Sequence, residues 1–149
     1  MIKSSIAIKK FKEAKIVFLT TFSASGEEHS RPMLNMNEDP YEFIWFPTNT
    51  ETTKVEDVKA TGRAIVTFPA EKYGEYYEVE GKAEMADREF VEENWLWWYL
   101  YWHPDQKDRF WFPSAGEHPE RSIIWIYPKS VRLVKGNKVD DMEKHMPPY

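Results

Sequence analysis

The sequence predicts one domain that is mainly β, a small closed barrel of six or seven mostly antiparallel strands flanked by helices. Short segments rich in β-branched and aromatic residues recur along the chain, and turn-forming residues separate them. A few stretches have a helical pattern instead. The 149 residues suit a single domain and contain no internal repeat or linker, so the domain is expected to span residues 1–149.

The first part of the chain predicts a helix followed by three strands. Residues 4–14 are expected to be helical, with one apolar face made of Ile6, Ile8, Phe11 and Ala14. Polar turns then separate three strands, which are predicted at residues 15–22, 29–36 and 41–46. Because the connections are short, these strands are expected to form a meander of antiparallel hairpins.

The second part predicts a short helix at residues 55–60, with hydroxyl residues before it and Gly62 as its stop. Further strands are predicted at residues 63–68, 76–85, 122–127 and 131–134. Before the last two strands, Asp87 can cap a longer helix that ends near Trp102. The polar residues 135–149 are expected to form a loose tail.

Composition excludes several classes of function. The chain has 20 Lys and Arg against 25 Asp and Glu, a formal net charge of −5, and this balance disfavours nucleic acid as a partner. The absence of cysteine excludes disulfides, thiolate metal sites and cysteine nucleophiles. The N-terminal residues have no apolar signal core, and the longest apolar run, residues 95–102, is shorter than the roughly 20 residues of a membrane-spanning helix. We therefore expect a cytoplasmic protein without a membrane partner.

Familiar catalytic motifs are absent from the sequence. It has neither a phosphate-binding loop of the nucleotide-hydrolase type nor the Gly-x-Gly-x-x-Gly, His-Glu-x-x-His or Gly-x-Ser-x-Gly motifs. The 4 histidines are scattered, so no metal site is expected. No carboxylate or histidine stands out as a general acid or base, and no catalytic residue is assigned.

Residues 95–102 form a run of tryptophan, tyrosine and leucine only. A helix with one buried face would alternate with polar residues, whereas this segment is apolar all round. It is either buried beneath the barrel or packed against a second subunit. We favour the second subunit, because Trp and Tyr are enriched at interfaces, and therefore expect a homodimer.

A polar stretch from Thr48 to Lys54 precedes the short helix. The free N–H groups and positive dipole end of a helix suit an anion, and the hydroxyls and Lys54 can add charge-assisted hydrogen bonds. The alternative is an ordinary capped helix, in which Thr53 and Glu56 form a capping box. Both interpretations are open at the level of these residues alone.

The segment around Pro32 is the second candidate. Proline cannot donate to a strand ladder, so Pro32 marks an edge strand, a bulge or a strand opened towards a ligand. Arg31, directly before it, can act as a fixed cation. An ordinary surface edge strand is the alternative interpretation.

These segments together resemble a known family. They read Ser-Arg-Pro-Met at 30–33, Trp-Phe-Pro-Thr at 45–48, Thr-Thr-Lys-Val at 52–55, Gly-Lys-Ala-Glu at 81–84 and Trp-Phe-Pro at 111–113. Their order and spacing resemble the pyridoxamine 5′-phosphate oxidase-like flavin-binding split barrels, in particular the general stress protein 26 group. The resemblance covers about residues 5–134.

The resemblance implies a homodimer of FMN-binding split β-barrels, with two FMN molecules at the subunit interface. By match, the cofactor-binding residues are Arg31, Pro32, Met33, Pro47, Thr48, Thr52, Thr53, Lys54 and Trp111. In the family, the Arg-Pro-Met strand runs beside the isoalloxazine and ribityl groups, and residues matching 52–54 hold the phosphate. The Trp-Phe-Pro turn, with Trp111, can approach the flavin from the partner subunit.

The sequence also departs from the family pattern. Pro47 stands where an aromatic residue is common, and Thr53 stands where the pyridoxamine phosphate oxidases have arginine. Tyr76 aligns with a flavin-contacting glutamine of those oxidases. Their C-terminal Arg-x-His segment, which binds the pyridoxal substrate, has no equivalent after Val131. Oxidation of vitamin B6 is therefore not expected.

The resemblance implies an FMN-dependent oxidoreductase that passes electrons from a reduced nicotinamide to an unidentified acceptor. Two alternatives stay open. The protein could be a non-catalytic flavin-binding or stress-related dimer, or the same fold could bind a deazaflavin or haem. Haem would need an axial ligand, for which His103 or His118 are the candidates.

Overall fold

The strands of this protein form one antiparallel sheet. The structure, a computed structural model, describes residues 3–94, 121–135 and 138–141. In chain order the elements are α1 (Ser5–Glu13), β1 (Ile16–Phe22), β2 (Glu28–Leu34), β3 (Ile44–Asn49), α2 (Thr53–Thr61), β4 (Arg63–Pro69), β5 (Glu75–Met85), α3 (residues 88–94), β6 (Arg121–Lys135) and β7 (Lys138–Asp141). The strand order is β2-β1-β4-β5-β6-β3, with β7 paired to β6.

Alternating apolar side chains fill the concave side of the sheet. In β1, Val17 and Leu19 are fully buried, whereas the alternating residues Ile16 and Phe18 face outwards. The core that they enter is closed at one end by α1, whose Phe11 ring lies 5.0 Å from the ring of Phe68. The predicted mainly β architecture with flanking helices is confirmed.

The first helix agrees with the prediction for residues 4–14. Ser4 is its N-cap, and the Ser4 hydroxyl accepts a hydrogen bond from the Ala7 N–H. One residue of the expected apolar face is wrong, because Ile6 is exposed while Ala7 is buried in its place.

The predicted meander holds only for β1 and β2. β3 was expected beside β2, but it lies at the opposite edge of the sheet, where Trp45 pairs with Trp125 of β6. On its other side, the Asn37 side chain donates to the Trp45 carbonyl at 3.0 Å and accepts from the Trp45 N–H at 3.1 Å. A side chain therefore occupies the edge of β3 where a strand was expected. Among the described residues no ladder joins β2 to β3, and the barrel is split there.

The two closing strands predicted at 122–127 and 131–134 are one strand, β6. The register of β5 against β6 shifts between Glu80 and Gly81, which is a β-bulge. Pro128, which cannot donate to a ladder, lies opposite Gly81. A Cβ atom at Gly81 would lie 2.6 Å from the Tyr127 carbonyl oxygen, so only glycine fits this approach. The gap between the two predicted strands therefore corresponds to this bulge within β6.

Two further differences concern the C-terminal part. Within the tail expected at 135–149, Lys138–Asp141 form β7, which the sequence did not predict. The helix predicted after Asp87 begins as expected, because the Asp87 carboxylate accepts from the Phe90 N–H at 2.8 Å. Its predicted end near Trp102, and the whole aromatic segment 95–102, lie outside the described residues. None of the helices in the described ranges combines the length and apolar character needed to cross a bilayer.

Candidate functional site

The short helix α2 positions the candidate anion site. It extends from Thr53 to Thr61 and ends at Gly62, whose φ of 64° is the left-handed conformation predicted for the stop. Val55 and Val58 are buried, and α2 packs against β1, β4 and β5. The helix begins two residues earlier than residues 55–60 predicted. Thr53 and Lys54 therefore belong to its first turn.

The first turn of α2 has no side-chain cap. Thr52 is the N-cap residue, but its hydroxyl donates to the Asn49 carbonyl at 3.1 Å and accepts from no N–H group of the helix. The capping box expected from Thr53 and Glu56 is not formed, because Thr53 is already the first helical residue. The alternative interpretation of a capped helix is therefore wrong. The N–H groups of the first turn therefore have no capping side chain among the described residues.

Lys54 is a half-buried cation in this first turn. Within the described ranges, no acceptor lies within hydrogen-bond or ion-pair distance of its ammonium group. Burial lowers the pKa of Lys54, and the positive charge of Arg31 lowers it further. The ammonium group is thus partly removed from water without a compensating negative charge. This is an electrostatic environment that a bound anion would improve.

Arg31 reaches the same region from the edge strand β2. It pairs with Leu19 of β1, and its Nη1 donates to the Thr21 hydroxyl at 2.8 Å and to the Leu19 carbonyl at 3.3 Å. Burial lowers the pKa of Arg31, which the charge of Asp57 partly offsets. The fold thus brings two cations, Arg31 and Lys54, close to one another from different elements.

Asp57 lies one turn after Lys54 and is almost fully buried, with 3 % of its surface exposed. Its Oδ2 accepts from the Thr21 hydroxyl at 2.7 Å and lies 2.7 Å from the His29 Nδ1. Burial acts to raise the pKa of Asp57, but the bonds to His29 and Thr21 and the charge of Arg31 outweigh it and hold the pKa below its ordinary value. We refer to Thr21, His29, Arg31 and Asp57 as the Asp57 network.

Three members of this network were missed by the sequence analysis: Thr21, His29 and Asp57. Two spacings carried a signal. His29 is two residues before Arg31 in a strand, which puts both on one face, and Asp57 is three residues after Lys54 in a helix. The contact between Thr21 and Asp57 joins residues 36 apart, so no local pattern could indicate it.

Other predicted residues of β2 divide between its two faces. β2 is an edge strand, as Pro32 indicated. Pro32 itself is exposed on the outer face opposite Phe18, whereas Met33 is half-buried on the inner face and packs against the core. Of the predicted Arg-Pro-Met set, Arg31 and Met33 therefore share a face and Pro32 does not.

The remaining predicted residues lie along β3 and the turn that follows it. Pro47 and Thr48 are buried on opposite faces of β3, opposite Ile123 and Ser122 of β6. Thr52 is half-buried and Thr53 is exposed. Trp111 lies outside the described residues.

A separate groove of about 530 Å³ lies on the outer face of the sheet. It is lined mainly by β1, β4 and β5, and includes Ile16, Phe18, Ile65 and Tyr76. None of the predicted cofactor residues that the structure describes lines it. Ile16, Phe18 and Tyr76 are 52 %, 48 % and 39 % exposed, which makes this an apolar outer surface. Across the described ranges, no three His, Asp or Glu side chains are grouped to hold a metal ion.

Comparison with known proteins gives one family and a common fold. The family described as pyridoxamine 5′-phosphate oxidase like matches residues 4–132. No sequence among the curated proteins matches the chain. A protein related to general stress protein 26 from Clostridium acetobutylicum is similar in structure, with a TM-score of 0.65, 18 % identity and coverage of 91 % of this chain and 92 % of that one.

Two further solved structures are similar. One is a pyridoxamine 5′-phosphate oxidase-related, FMN-binding protein from Nostoc punctiforme, with a TM-score of 0.60, 12 % identity and coverage of 89 % of this chain and 83 % of that one. The other is an F420 reductase, with a TM-score of 0.58, 18 % identity and coverage of 83 % and 93 %. At these identities the likeness shows a shared fold, and the predicted split β-barrel is confirmed.

Proposed function

Because the chain belongs to the pyridoxamine 5′-phosphate oxidase-like family, we propose that it is a flavoprotein that binds FMN at α2 and passes electrons from a reduced nicotinamide to a small-molecule acceptor. The observation that carries this proposal is the pair of half-buried cations, Arg31 and Lys54, beside the uncapped first turn of α2.

The phosphate of FMN fits this pair of cations. A phosphomonoester carries up to two negative charges, which a protein of net charge −5 would repel without a local counter-charge. Lys54, Arg31 and the free N–H groups of the first turn supply that counter-charge. Each charge-assisted hydrogen bond to the phosphate is expected to contribute roughly 1.5–3 kcal/mol.

The nearby carboxylate does not compete for Lys54. Asp57 is already bonded to Thr21 and His29, and it lies one helical turn from Lys54 with no ion pair between the two. Burial lowers the pKa of both cations, so a dianion would restore electrostatic interactions that they lost on leaving water. The residues present therefore suit a phosphate.

For the flavin ring, we propose the split between β2 and β3. Met33 on the inner face of β2 and Thr48 on the inner face of β3 approach this region from the two edges of the sheet. We propose that Pro32, Pro47 and Trp111 complete the flavin contacts, while Thr52 and Thr53 assist Lys54 at the phosphate. The bound flavin would supply the redox chemistry, and these side chains would bind and orient it.

A homodimer with the cofactor at its interface is part of the proposal. The partly exposed side chains of Ile16, Phe18 and Tyr76, which line one groove on the outer face, support it, since aromatic side chains are enriched at subunit interfaces. Sedimentation equilibrium at micromolar concentration is expected to give twice the mass of one chain. A monomeric mass with FMN bound would contradict the dimer. The cytoplasmic location stays a prediction.

The test of cofactor binding compares FMN with riboflavin, which lacks the phosphate. In calorimetric titrations of the apo-protein, we expect FMN to bind much more tightly than riboflavin. Replacing Lys54 by alanine is expected to weaken FMN binding roughly tenfold to a hundredfold and to leave riboflavin binding unchanged.

Lys59 supplies the matched control for this titration. It lies in the last turn of the same helix and is exposed, so Lys59→Ala changes the net charge equally without touching the site. Equal constants for FMN and riboflavin in the wild type would contradict the proposed phosphate site. Equal effects of the Lys54 and Lys59 variants would contradict the role of Lys54.

A deazaflavin is the second candidate ligand, since an F420 reductase shares the fold. The absorption spectrum of the ligand released on heating distinguishes FMN from a deazaflavin. Oxidation of pyridoxamine phosphate is not proposed. The C-terminal strand has no equivalent of the oxidases' substrate-binding segment, and its Arg132 is paired with Glu78 and Glu80.

A further inference from the structure

The Asp57 network joins the helix that carries Lys54 to the strand that carries Arg31. Asp57 Oδ2 contacts Thr21 of β1 and His29 of β2 at 2.7 Å each. Because Asp57 is three residues after Lys54, fixing Asp57 also fixes the first turn of α2 relative to both strands. The network therefore connects α2, β1 and β2 beside the two cations, Arg31 and Lys54.

The direction of the hydrogen bonds is set by the chemistry of the groups. A guanidinium can only donate, so the Thr21 hydroxyl must accept from Arg31 Nη1. An ionised carboxylate can only accept, so the same hydroxyl must donate to Asp57. The charge of Asp57 therefore orients the Thr21 hydroxyl, and the oriented hydroxyl holds Arg31. In the part of the chain that the structure describes, the Arg31 donors other than Nη1 have no hydrogen-bond partner, so they are available to a ligand.

We propose that Asp57 and Thr21 are positioning residues of the anion site. They hold the like charges of Arg31 and Lys54 close together in the orientation that a phosphate requires, while the single negative charge of Asp57 offsets only one of these two positive charges. This inference rests on the proposed binding of FMN and adds how the site is kept assembled.

If Asp57 acts only as a neighbouring negative charge, its removal strengthens the binding of any anion, because electrostatic repulsion is lost. If Asp57 positions the cations, its removal weakens binding despite the lost repulsion. The sign of the change in FMN affinity therefore separates the two cases.

The principal variant is Thr21→Val, which keeps the side-chain shape and the Asp57 charge but removes the link to Arg31. We expect FMN affinity to fall roughly tenfold, the factor for one hydrogen bond to a charged group, while riboflavin affinity is unchanged. Thr21→Ser restores the hydroxyl and is expected to restore FMN affinity. Asp57→Ala is expected to weaken FMN binding, and Asp57→Asn, which keeps an accepting oxygen, to weaken it less.

Thr61→Val is the matched control. The Thr61 hydroxyl also joins α2 to β1, by donating to the Phe22 carbonyl at 2.9 Å, but it lies at the far end of the helix from Lys54. Its contact with Asp57, at 3.1 Å, is to the main-chain carbonyl and not to the carboxylate that holds Thr21 and His29. We expect this variant to leave FMN affinity unchanged. Equal losses for Thr21→Val and Thr61→Val, or tighter FMN binding by Asp57→Ala, would overturn the inference.

A measurement without any flavin makes the test independent of the proposed function. NMR line shapes of the Arg31 guanidinium, assigned with Arg31→Lys, are expected to show restricted rotation in the wild type and in Thr21→Ser but rapid rotation in Thr21→Val. If the wild type binds no FMN and Arg31 still behaves in this way, the cofactor proposal fails and the positioning role stands. If Arg31 rotates equally in all variants, the positioning role fails whatever the flavin affinities are.

Discussion

The two ends of the sheet hold their helices by different means. At the β1–β2 end, α2 buries Val55 and Val58 and is in addition held by the polar contacts of Asp57 with Thr21 and His29. At the β3–β6 end, α3 is fastened by rings, with the Phe90 ring 5.7 Å from that of Trp45 and 5.0 Å from that of Trp125. We refer to Phe43, Trp45, Phe90, Trp125 and Tyr127 as the aromatic cluster.

The difference between the two ends concerns what each contact stabilises. Ring packing depends on shape and buried area, so it stabilises the fold with little regard to charge. The Asp57 network depends on charge and donor direction, so it stabilises one arrangement of two cations. Substitutions in the aromatic cluster should therefore change mainly the free energy of unfolding. Substitutions in the Asp57 network should change mainly the affinity for FMN.

The largest effect is expected in the aromatic cluster. Phe90→Ala removes three edge-on ring contacts, with Phe43, Trp45 and Trp125. Because Phe90 is only half-buried, we expect the free energy of unfolding to fall by about 2 kcal/mol, less than the loss of a fully buried aromatic costs, with no change in the ratio of FMN to riboflavin affinity. Urea denaturation measures the first quantity and calorimetry the second. Phe90→Leu should lose less stability, and an altered affinity ratio would show that the two ends are not independent.

A smaller effect is expected from salt at the polar end. Raising ionic strength screens the attraction between a phosphate and the pair Arg31 and Lys54, but half-buried charges are screened less than exposed ones. We expect FMN affinity to fall severalfold between low and high salt and riboflavin affinity to stay constant. Lys54→Ala should reduce this salt dependence, and Lys59→Ala should not. A riboflavin affinity that falls in parallel with that of FMN would contradict the electrostatic origin of the difference.

The smallest effect is expected from acid. The pKa of Asp57 is below its ordinary value of 3.8 in the folded protein, because the bonds to His29 and Thr21 outweigh burial. The unfolded chain therefore binds the proton more readily, so this carboxylate contributes stability above the ordinary value and loses it as the pH falls through the lowered one. Urea denaturation at neutral pH and near pH ~3 should show a smaller loss for Asp57→Asn than for the wild type. Equal losses of unfolding free energy in the two proteins would show that ionisation of Asp57 does not stabilise the fold.

Local patterns predicted the local parts of this molecule. The helix capped by Ser4, the β1–β2 hairpin and the stop of α2 at Gly62 each depend on residues within a few positions of one another. The order of motifs along the chain added the family and the split barrel. The predicted cofactor residues follow from that match and stay predictions.

Contacts between distant residues could not be predicted in this way. The pairing of β3 with β6 joins Trp45 to Trp125, which are far apart in the sequence, and nothing near either residue specifies it. The Thr21–Asp57 hydrogen bond could not be predicted for the same reason, because it joins residues 36 positions apart. At Pro128 a local pattern led to the opposite error. The sequence predicted a strand end there, whereas β6 continues through the bulge that lies opposite Gly81.

The amide of Asn37 has a consequence for how this protein behaves at high concentration. The outer strand of an open sheet offers its backbone to any other chain, which is a common route to aggregation. By taking both backbone groups of Trp45, the Asn37 side chain blocks the exposed border of β3 against such addition. One side chain thereby protects the free edge of β3 although no further strand pairs with it among the described residues.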